Sequence, residues 1–149
     1  MSIRNLDHLL DPASVAVFGA SQRASSVGAT VWANLRGGGF KGPIYAVNPR
    51  HQDFDGVPVY ASAATLPTVP ELAVICTPAA VVPGLIAELG ALGTRAAIVL
   101  SAGLDSAQRK AMLDAARPYL LRILGPNCIG MLSPHKGLNA SFAHVAAAP

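Results

Sequence analysis

Short runs of small and β-branched apolar residues alternate with stretches of helical periodicity, and this alternation limits the fold more than any other feature. Buried parallel strands have such a composition, because both of their faces are covered. Strands joined by single helices require right-handed crossovers. We therefore expect a Rossmann-like α/β domain, a doubly wound parallel sheet in a three-layer α/β/α arrangement. The predicted strands are Ser14–Phe18, Ile44–Val47, Leu72–Thr77, Ala96–Leu100 and Arg122–Leu124.

Helices are predicted between these strands from apolar residues that recur every three or four positions. A short helical turn covers Arg4–Leu10, and a longer helix starts at Val27 and stops at the glycines 37–39. The next helix carries its apolar stripe from Val82 to Leu89 and stops at Gly93. Ser106 is the predicted N-cap of the last helix. Residues 50–71 form a polar excursion with no predicted element.

Composition favours one compact domain, since 149 residues with 52% hydrophobic and 13% charged residues can bury a core. The longest apolar stretch, Leu72–Ala87, contains two prolines and is too short to cross a bilayer, so no membrane association is expected. The first residues carry acids where a signal peptide needs an apolar run, and there are two cysteines, so a cytoplasmic location is expected. A net charge of +3 without a basic run does not indicate nucleic-acid binding.

Ligands of an open parallel sheet bind beyond the carboxyl ends of its strands, where the strand order reverses. The residues that follow the predicted strands are therefore the binding candidates. Most of these segments contain glycine or a small hydroxyl residue, which lets a ligand approach the backbone. The candidates are Gly19, Ala20, Ser21, Gln22, Arg23, Ser26, Val27, Asn48, Pro49, Arg50, His51, Thr77, Pro78, Ser101, Ala102, Gly103 and Asn127.

The segment after the first strand has the features of an anion cradle. Gly19 allows a tight turn, Ser21 offers a hydroxyl, and the free N–H groups of a helix start near Ser25–Gly28 favour a pyrophosphate. The segment GASQRASSVG lacks the GxGxxG spacing, so an ordinary strand-to-helix turn is an alternative.

The segment after the second strand separates the possible nucleotides. An NAD site usually places an acid there for the ribose hydroxyls, whereas this chain has Asn48, Pro49, Arg50 and His51. Arg50 suits a ribose phosphate, which coenzyme A and NADP both carry. NAD is disfavoured, and a solvated surface arginine is the alternative for Arg50.

No catalytic constellation is found. Cys76 and Cys128 have no base beside them and are expected to be reduced space-fillers. The four histidines show no metal-binding spacing, and no GxSxG or P-loop motif is present. We predict no catalytic residue and no metal site.

Several segments together resemble the CoA-binding domain of NDP-forming acyl-CoA synthetases, which is also found in the succinyl-CoA synthetase alpha subunit. They are SVAVFGAS (14–21), YAVNP (45–49), LAVICTP (72–78), IVLSAG (98–103), ILGPNCIGMLSP (123–134) and GLNASF (137–142). The opening NLDHLLDPASVAVFGAS resembles the ADP-forming acetyl-CoA synthetase branch, which includes bacterial protein lysine acetyltransferases with a fused GNAT domain.

The resemblance implies a role for each matching position. Ser21 to Val27 would hold the CoA phosphates, and Arg50 or His51 the nucleotide end. Thr77-Pro78 and Ser101-Ala102 would line the path of the nucleotide and the pantetheine arm, and Asn127 would shape the pocket for the thiol.

The resemblance also implies partners. In the synthetases a phosphohistidine and an ATP-grasp unit lie in other domains, and no histidine here matches the phosphorylated one. The tail 143–149 is poor in packing residues, so we expect residues 1–149 to be one CoA-binding domain, an N-terminal fragment of a longer protein. Such a fragment would bind CoA or acyl-CoA without activating a carboxylate alone. Two alternatives remain: an NADP-binding Rossmann domain of an oxidoreductase or redox sensor, and a regulatory module that senses acyl-CoA.

Overall fold

A seven-stranded sheet forms the centre of the computed structural model, which describes residues 2–50 and 52–144. The strand order is β3-β4-β2-β1-β5-β6-β7, and every neighbouring pair is parallel except β3 with β4. The predicted doubly wound α/β fold is confirmed. The strands are β1 Val15–Phe18, β2 Ile44–Val47, β3 Asp53–Phe54, β4 Val57–Tyr60, β5 Leu72–Ile75, β6 Ala96–Val99 and β7 Arg122–Leu124.

Helices cover both faces of the sheet and make the three predicted layers. They are α1 Leu6–Leu10, α2 Val27–Gly37, α3 Val82–Leu92 and α4 Ser106–Ala116. On β1, Val15 and Val17 belong to the core that contains α2, while Ala16 and Phe18 belong to the core that contains α3 and α4. All four residues of β1 are buried because each face of the strand has a helix layer against it.

The strand order reverses between β1 and β5. From β1 the chain moves outward through β2 to β4, and it then returns to the other side of β1 as β5. Val17 consequently pairs with Ala46 on one side and with Val74 on the other. This reversal is the place where a doubly wound sheet opens a crevice at its carboxyl edge.

The polar excursion contains two strands, so the prediction of no element in residues 50–71 is wrong. Asp55 and Gly56 form the tight turn between β3 and β4, with φ of 51° and 87°. Positive φ at both positions is the geometry of a type I′ turn, and Asp-Gly is a preferred sequence for it. The signal was present, but the surrounding polar residues and Pro58 masked the short alternating strand.

A second sheet, also absent from the sequence prediction, covers α2. It is the antiparallel pair β8 Gly130–Ser133 and β9 Leu138–Ser141. Leu138 and Ala140 are buried in the same core as α2, and the Asn34 side chain donates to the carbonyls of Ser141 and Ala143 at 2.9 Å each. The hairpin thus completes the layer on that face.

The N-cap of α4 is Asp105, so the prediction of Ser106 is wrong by one residue. The Asp105 side chain accepts from the backbone N–H of Gln108 at 2.8 Å, and the Gln108 side chain accepts from the N–H of Asp105 at 2.9 Å. This reciprocal pair stabilises the helix start more than a lone serine hydroxyl.

Among the described residues, no helix has the length and apolar character needed to span a membrane.

Candidate functional site

At the strand reversal, the segments that follow β1 and β5 are in direct backbone contact. Gly19 has φ of 86°. A Cβ atom added there would lie 2.9 Å from both the carbonyl carbon and the oxygen of Cys76. Only glycine fits this conformation and this approach. The carboxyl ends of β1 and β5 therefore meet at the strand reversal.

Gly28 brings the start of α2 against the end of β1. A Cβ atom on Gly28 would lie 2.1 Å from the Gly19 carbonyl oxygen and 3.6 Å from the Ser21 Cβ atom. The sequence analysis did not include Gly28 among the candidate residues. Its spacing of nine residues from Gly19 differs from that of GxGxxG, but its role is the same close packing of helix on strand.

The first loop (residues 19–26) is shaped by its own hydroxyl groups. Ser21 Oγ accepts from the N–H of Arg23 at 2.9 Å. Ser26 Oγ donates to the Arg23 carbonyl at 2.8 Å and accepts from the N–H of Ala29 at 3.1 Å, which caps α2. Both predicted serines are thus used within the loop and the cap. In the described chain, the N–H groups of Val27 and Gly28 have no hydrogen-bond partner.

The second loop (residues 48–52) is held by Asn48. Its Nδ2 donates to the Ala20 carbonyl at 2.9 Å, and its Oδ1 accepts from the N–H of Arg50 at 3.0 Å. Asn48 therefore joins the first and second loops. Pro49 and Arg50 are exposed, and the Arg50 guanidinium has no partner within residues 2–50 and 52–144. His51 lies outside the described residues.

The segments after β5, β6 and β7 form a continuous ledge. Ser101 Oγ donates to the Thr77 carbonyl at 2.6 Å, and the N–H of Asn127 donates to the Ser101 carbonyl at 3.0 Å. Pro78, Ala102 and Gly103 are exposed along this ledge. The structure thus brings Thr77, Ser101 and Asn127 together, and their hydrogen bonds join the three segments to one another.

A carboxylate that the sequence analysis did not place lies beside the first loop. Asp55 in the β3–β4 turn accepts from Gln22 Nε2 at 2.9 Å. The segment directly after β2 has no acid, as predicted, but the unforeseen hairpin brings one to the loop. The Asp-Gly turn was the signal that could have indicated it.

The two cysteines near this edge are protonated thiols. Burial raises the pKa of Cys76 to about 12. Burial also raises the pKa of Cys128, against the smaller opposing effect of backbone hydrogen bonds. Neither thiol is a nucleophile at neutral pH. The described residues contain no cluster of metal-ligating side chains.

A cleft of about 550 Å³ lies at the opposite end of the sheet, where the chain enters β1 and β2. It is lined by residues 11–13, 39–42 and 135–137, and an ion pair of 2.9 Å between Lys136 and Asp11 lies at it. None of the predicted binding residues lines this cleft. The site predicted from the sequence lies at the other end of the sheet, at its carboxyl edge.

A family comparison decides the class of ligand. The sequence profile described as a CoA-binding domain matches residues 13–134. The chain belongs to this CoA-binding domain family. The domain therefore binds coenzyme A, and the comparisons do not favour the NADP alternative.

The relatives of this CoA-binding domain are ligases, and the chain matches only a part of each. The chain is 37% identical over 147 residues to acetate–CoA ligase [ADP-forming] I of Archaeoglobus fulgidus, covering 95% of this chain and 21% of the relative. It is 35% identical over 144 residues to acetate–CoA ligase [ADP-forming] of Methanocaldococcus jannaschii, covering 94% of this chain and 20% of the relative. The chain thus spans about a fifth of the length of these relatives.

A solved structure of the same class shares the fold of this CoA-binding domain. The dinucleotide forming acetyl-coenzyme A synthetase 1 of Candidatus Korarchaeum cryptofilum, in complex with phosphate and ADP, superposes with a TM-score of 0.85 at 33% identity. The match covers 92% of this chain and 30% of that one.

Replacing Gly28 by alanine tests the contact of α2 with β1. The added methyl group has no room against the Gly19 carbonyl, so we expect Gly28→Ala to destabilise the fold by about 1–3 kcal/mol and to weaken CoA binding. Gly84→Ala is the matched control, since Gly84 is also helical and has nothing within 4 Å of its Cβ position. The free energy of unfolding of the control variant should rise by up to about 1 kcal/mol. Urea unfolding measures both, and equal effects would contradict the packing argument.

Thiol reactivity tests the environment of Cys76. A rise in pKa from 9.0 to about 12 keeps the thiol protonated at pH 8 in the folded chain. In a Cys128→Ser variant, an aromatic disulfide reagent should therefore react about a thousandfold more slowly with the folded chain than with the chain unfolded in urea. A Cys76→Ser variant reports on Cys128, which is less buried and should react faster. Equal rates for folded and unfolded Cys76 would refute its burial.

Proposed function

We propose that the carboxyl edge of the sheet is the CoA site and that the first loop binds the pyrophosphate. The observation that carries this proposal is the start of α2. Among the residues that the structure describes, the N–H groups of Val27 and Gly28 have no hydrogen-bond partner, and the close approach of Gly28 places them against the end of β1. Free N–H groups and the positive end of a helix dipole favour a phosphate group. Ser21 and Ser26 shape this cradle through the bonds that they already make.

Arg50 is proposed to bind the ribose phosphate of CoA. Its backbone is fixed by Asn48, while its guanidinium is exposed and unpaired among the described residues. A guanidinium suits a phosphate because it donates several hydrogen bonds in a planar arrangement. Pro49 and His51 belong to the same proposed contact region.

The ledge from Thr77 to Asn127 is proposed as the path of the pantetheine arm. Between the end of β2 and the end of β7 lie four strand spacings, or about 19 Å at the usual spacing of parallel strands. An extended ligand can place its nucleotide at β2 and its thiol near Asn127. Pro78, Ala102 and Gly103 are exposed along this line, so they are available for van der Waals contact with the arm.

The 149 residues are proposed to be the CoA-binding part of a longer ADP-forming acyl-CoA ligase. The support is the coverage, because the chain aligns almost entirely with about a fifth of the acetate–CoA ligases. Domains with the phosphohistidine and the ATP-grasp fold would supply carboxylate activation, and a GNAT domain would be present in the acetyltransferase branch. Both cysteines are free, which favours a reducing compartment such as the cytoplasm.

Calorimetric titration of the purified chain tests the site. CoA, acetyl-CoA, dephospho-CoA and NADP are titrated separately under the same conditions. We expect CoA and acetyl-CoA to bind more tightly than dephospho-CoA, because they carry the additional ribose phosphate. Tighter binding of NADP than of every CoA species would overturn the proposal.

Charge reversal at Arg50 locates the ribose phosphate. Arg50→Glu should weaken CoA binding by about tenfold or more and dephospho-CoA binding much less, because only CoA places a phosphate beside the new carboxylate. Arg109→Glu is the matched control, since Arg109 is an exposed residue of α4 with the same change of charge. If Arg50→Glu weakens both ligands equally, the ribose phosphate lies elsewhere.

A further inference from the structure

Among the described residues, one side-chain hydrogen bond joins the first loop to the hairpin formed by β3 and β4. Gln22 Nε2 donates to Asp55 Oδ2 at 2.9 Å, although the two residues are 33 positions apart. Both side chains are exposed. The contact lies beside the loop that is proposed to bind the pyrophosphate, and the family match does not assign it a role.

The hairpin side of this contact is rigid. Phe54 pairs with Val57 across the two-residue turn, and the positive φ values of Asp55 and Gly56 fix a type I′ geometry. Phe54 is buried and packs edge-on against Trp32 of α2, with ring centroids 6.1 Å apart. The Asp55 carboxylate is therefore held at a defined position relative to α2.

Residues 21–26 of the first loop have few contacts that hold them in place. Residues 22–25 are exposed, and the other hydrogen bonds of residues 21–26 reach partners at most four positions away. In the described part of the chain, Gln22–Asp55 is the one long-range side-chain hydrogen bond of this segment. Segments with few buried contacts open easily unless a specific contact orders them.

We propose that Asp55 is a positioning residue that holds the first loop in its anion-binding shape through Gln22. The inference rests on the proposed function, because the loop must be the phosphate cradle for its shape to affect affinity. Gln22 then acts through the loop instead of contacting CoA itself. Binding is tighter when the loop is ordered beforehand, since less conformational entropy is lost on association.

The test measures CoA affinity in Gln22→Ala, Asp55→Gly and the double variant. Glycine adopts positive φ without strain, so Asp55→Gly removes the carboxylate without distorting the turn. Each single variant should lose about tenfold in affinity, and the double variant no more than either single one. Asparagine keeps an acceptor and tolerates positive φ, so the CoA affinity of Asp55→Asn should stay within about threefold of that of the unsubstituted chain. Asp53→Ala, also exposed on the hairpin, measures the effect of deleting a carboxylate alone.

Hydrogen exchange of the unliganded chains provides the second measurement. The backbone amides of Arg23, Ser26 and Ala29, which are hydrogen-bonded within the loop and the cap, should exchange faster in Gln22→Ala and Asp55→Gly, and at the rate of the unsubstituted chain in Asp55→Asn. This measurement needs no ligand, so it tests the loop contact independently of CoA binding. If the unsubstituted chain binds no CoA, that result contradicts the proposed function and not the loop contact.

Three results would overturn the positioning role. Additive losses in the double variant would mean that Gln22 contacts CoA directly. Tighter binding in Asp55→Gly would mean that the carboxylate only repels the phosphates. Unchanged exchange in all variants would mean that the contact does not order the loop.

Discussion

The contact between Gly28 and the Gly19 carbonyl determines the geometry of the whole carboxyl edge. A side chain at position 28 would overlap that oxygen at 2.1 Å, so α2 can only begin here because the residue is glycine. The contact sets the helix start directly over the end of β1, at the strand reversal. Free N–H groups, helix dipole and crevice thereby coincide at one place. The other loops are then arranged around this fixed point.

Most polar side chains at the edge hold the loops together and leave the backbone to face a ligand. Asn48 joins the first and second loops, and Ser101 joins the segments after β5 and β6. Such cross-links compensate for loops that have little apolar burial of their own. In the proposed site the pyrophosphate is bound by backbone N–H groups, which are fixed more rigidly than long side chains. Arg50 is the exception, because its guanidinium remains unpaired among the described residues.

The edge also combines charges of opposite sign. Arg50 is exposed near the end of β2, and Asp55 approaches the first loop from the β3–β4 hairpin. The Asp55 carboxylate accepts from the Gln22 amide, while the N–H groups of Val27 and Gly28 at the start of α2 have no hydrogen-bond partner among the described residues. In the proposed site the hairpin orders the first loop, while α2 and Arg50 attract the phosphates.

The sequence by itself determined the central strands and the three helices that cover them, and it indicated the sheet edge at which we propose that CoA binds. The local periodicity of apolar residues indicates which of these elements are buried, and the carboxyl ends of parallel strands lie at the same edge of the sheet. Only the tertiary structure decided that β3 and β4 extend the sheet, that Gly28 lies on Gly19 and that Asp55 reaches Gln22. The Asp-Gly turn was a local signal for the β3–β4 hairpin, but local periodicity indicates neither where this hairpin attaches to the sheet nor the other two contacts. Their geometry exists only after the sheet has twisted and α2 has packed on it.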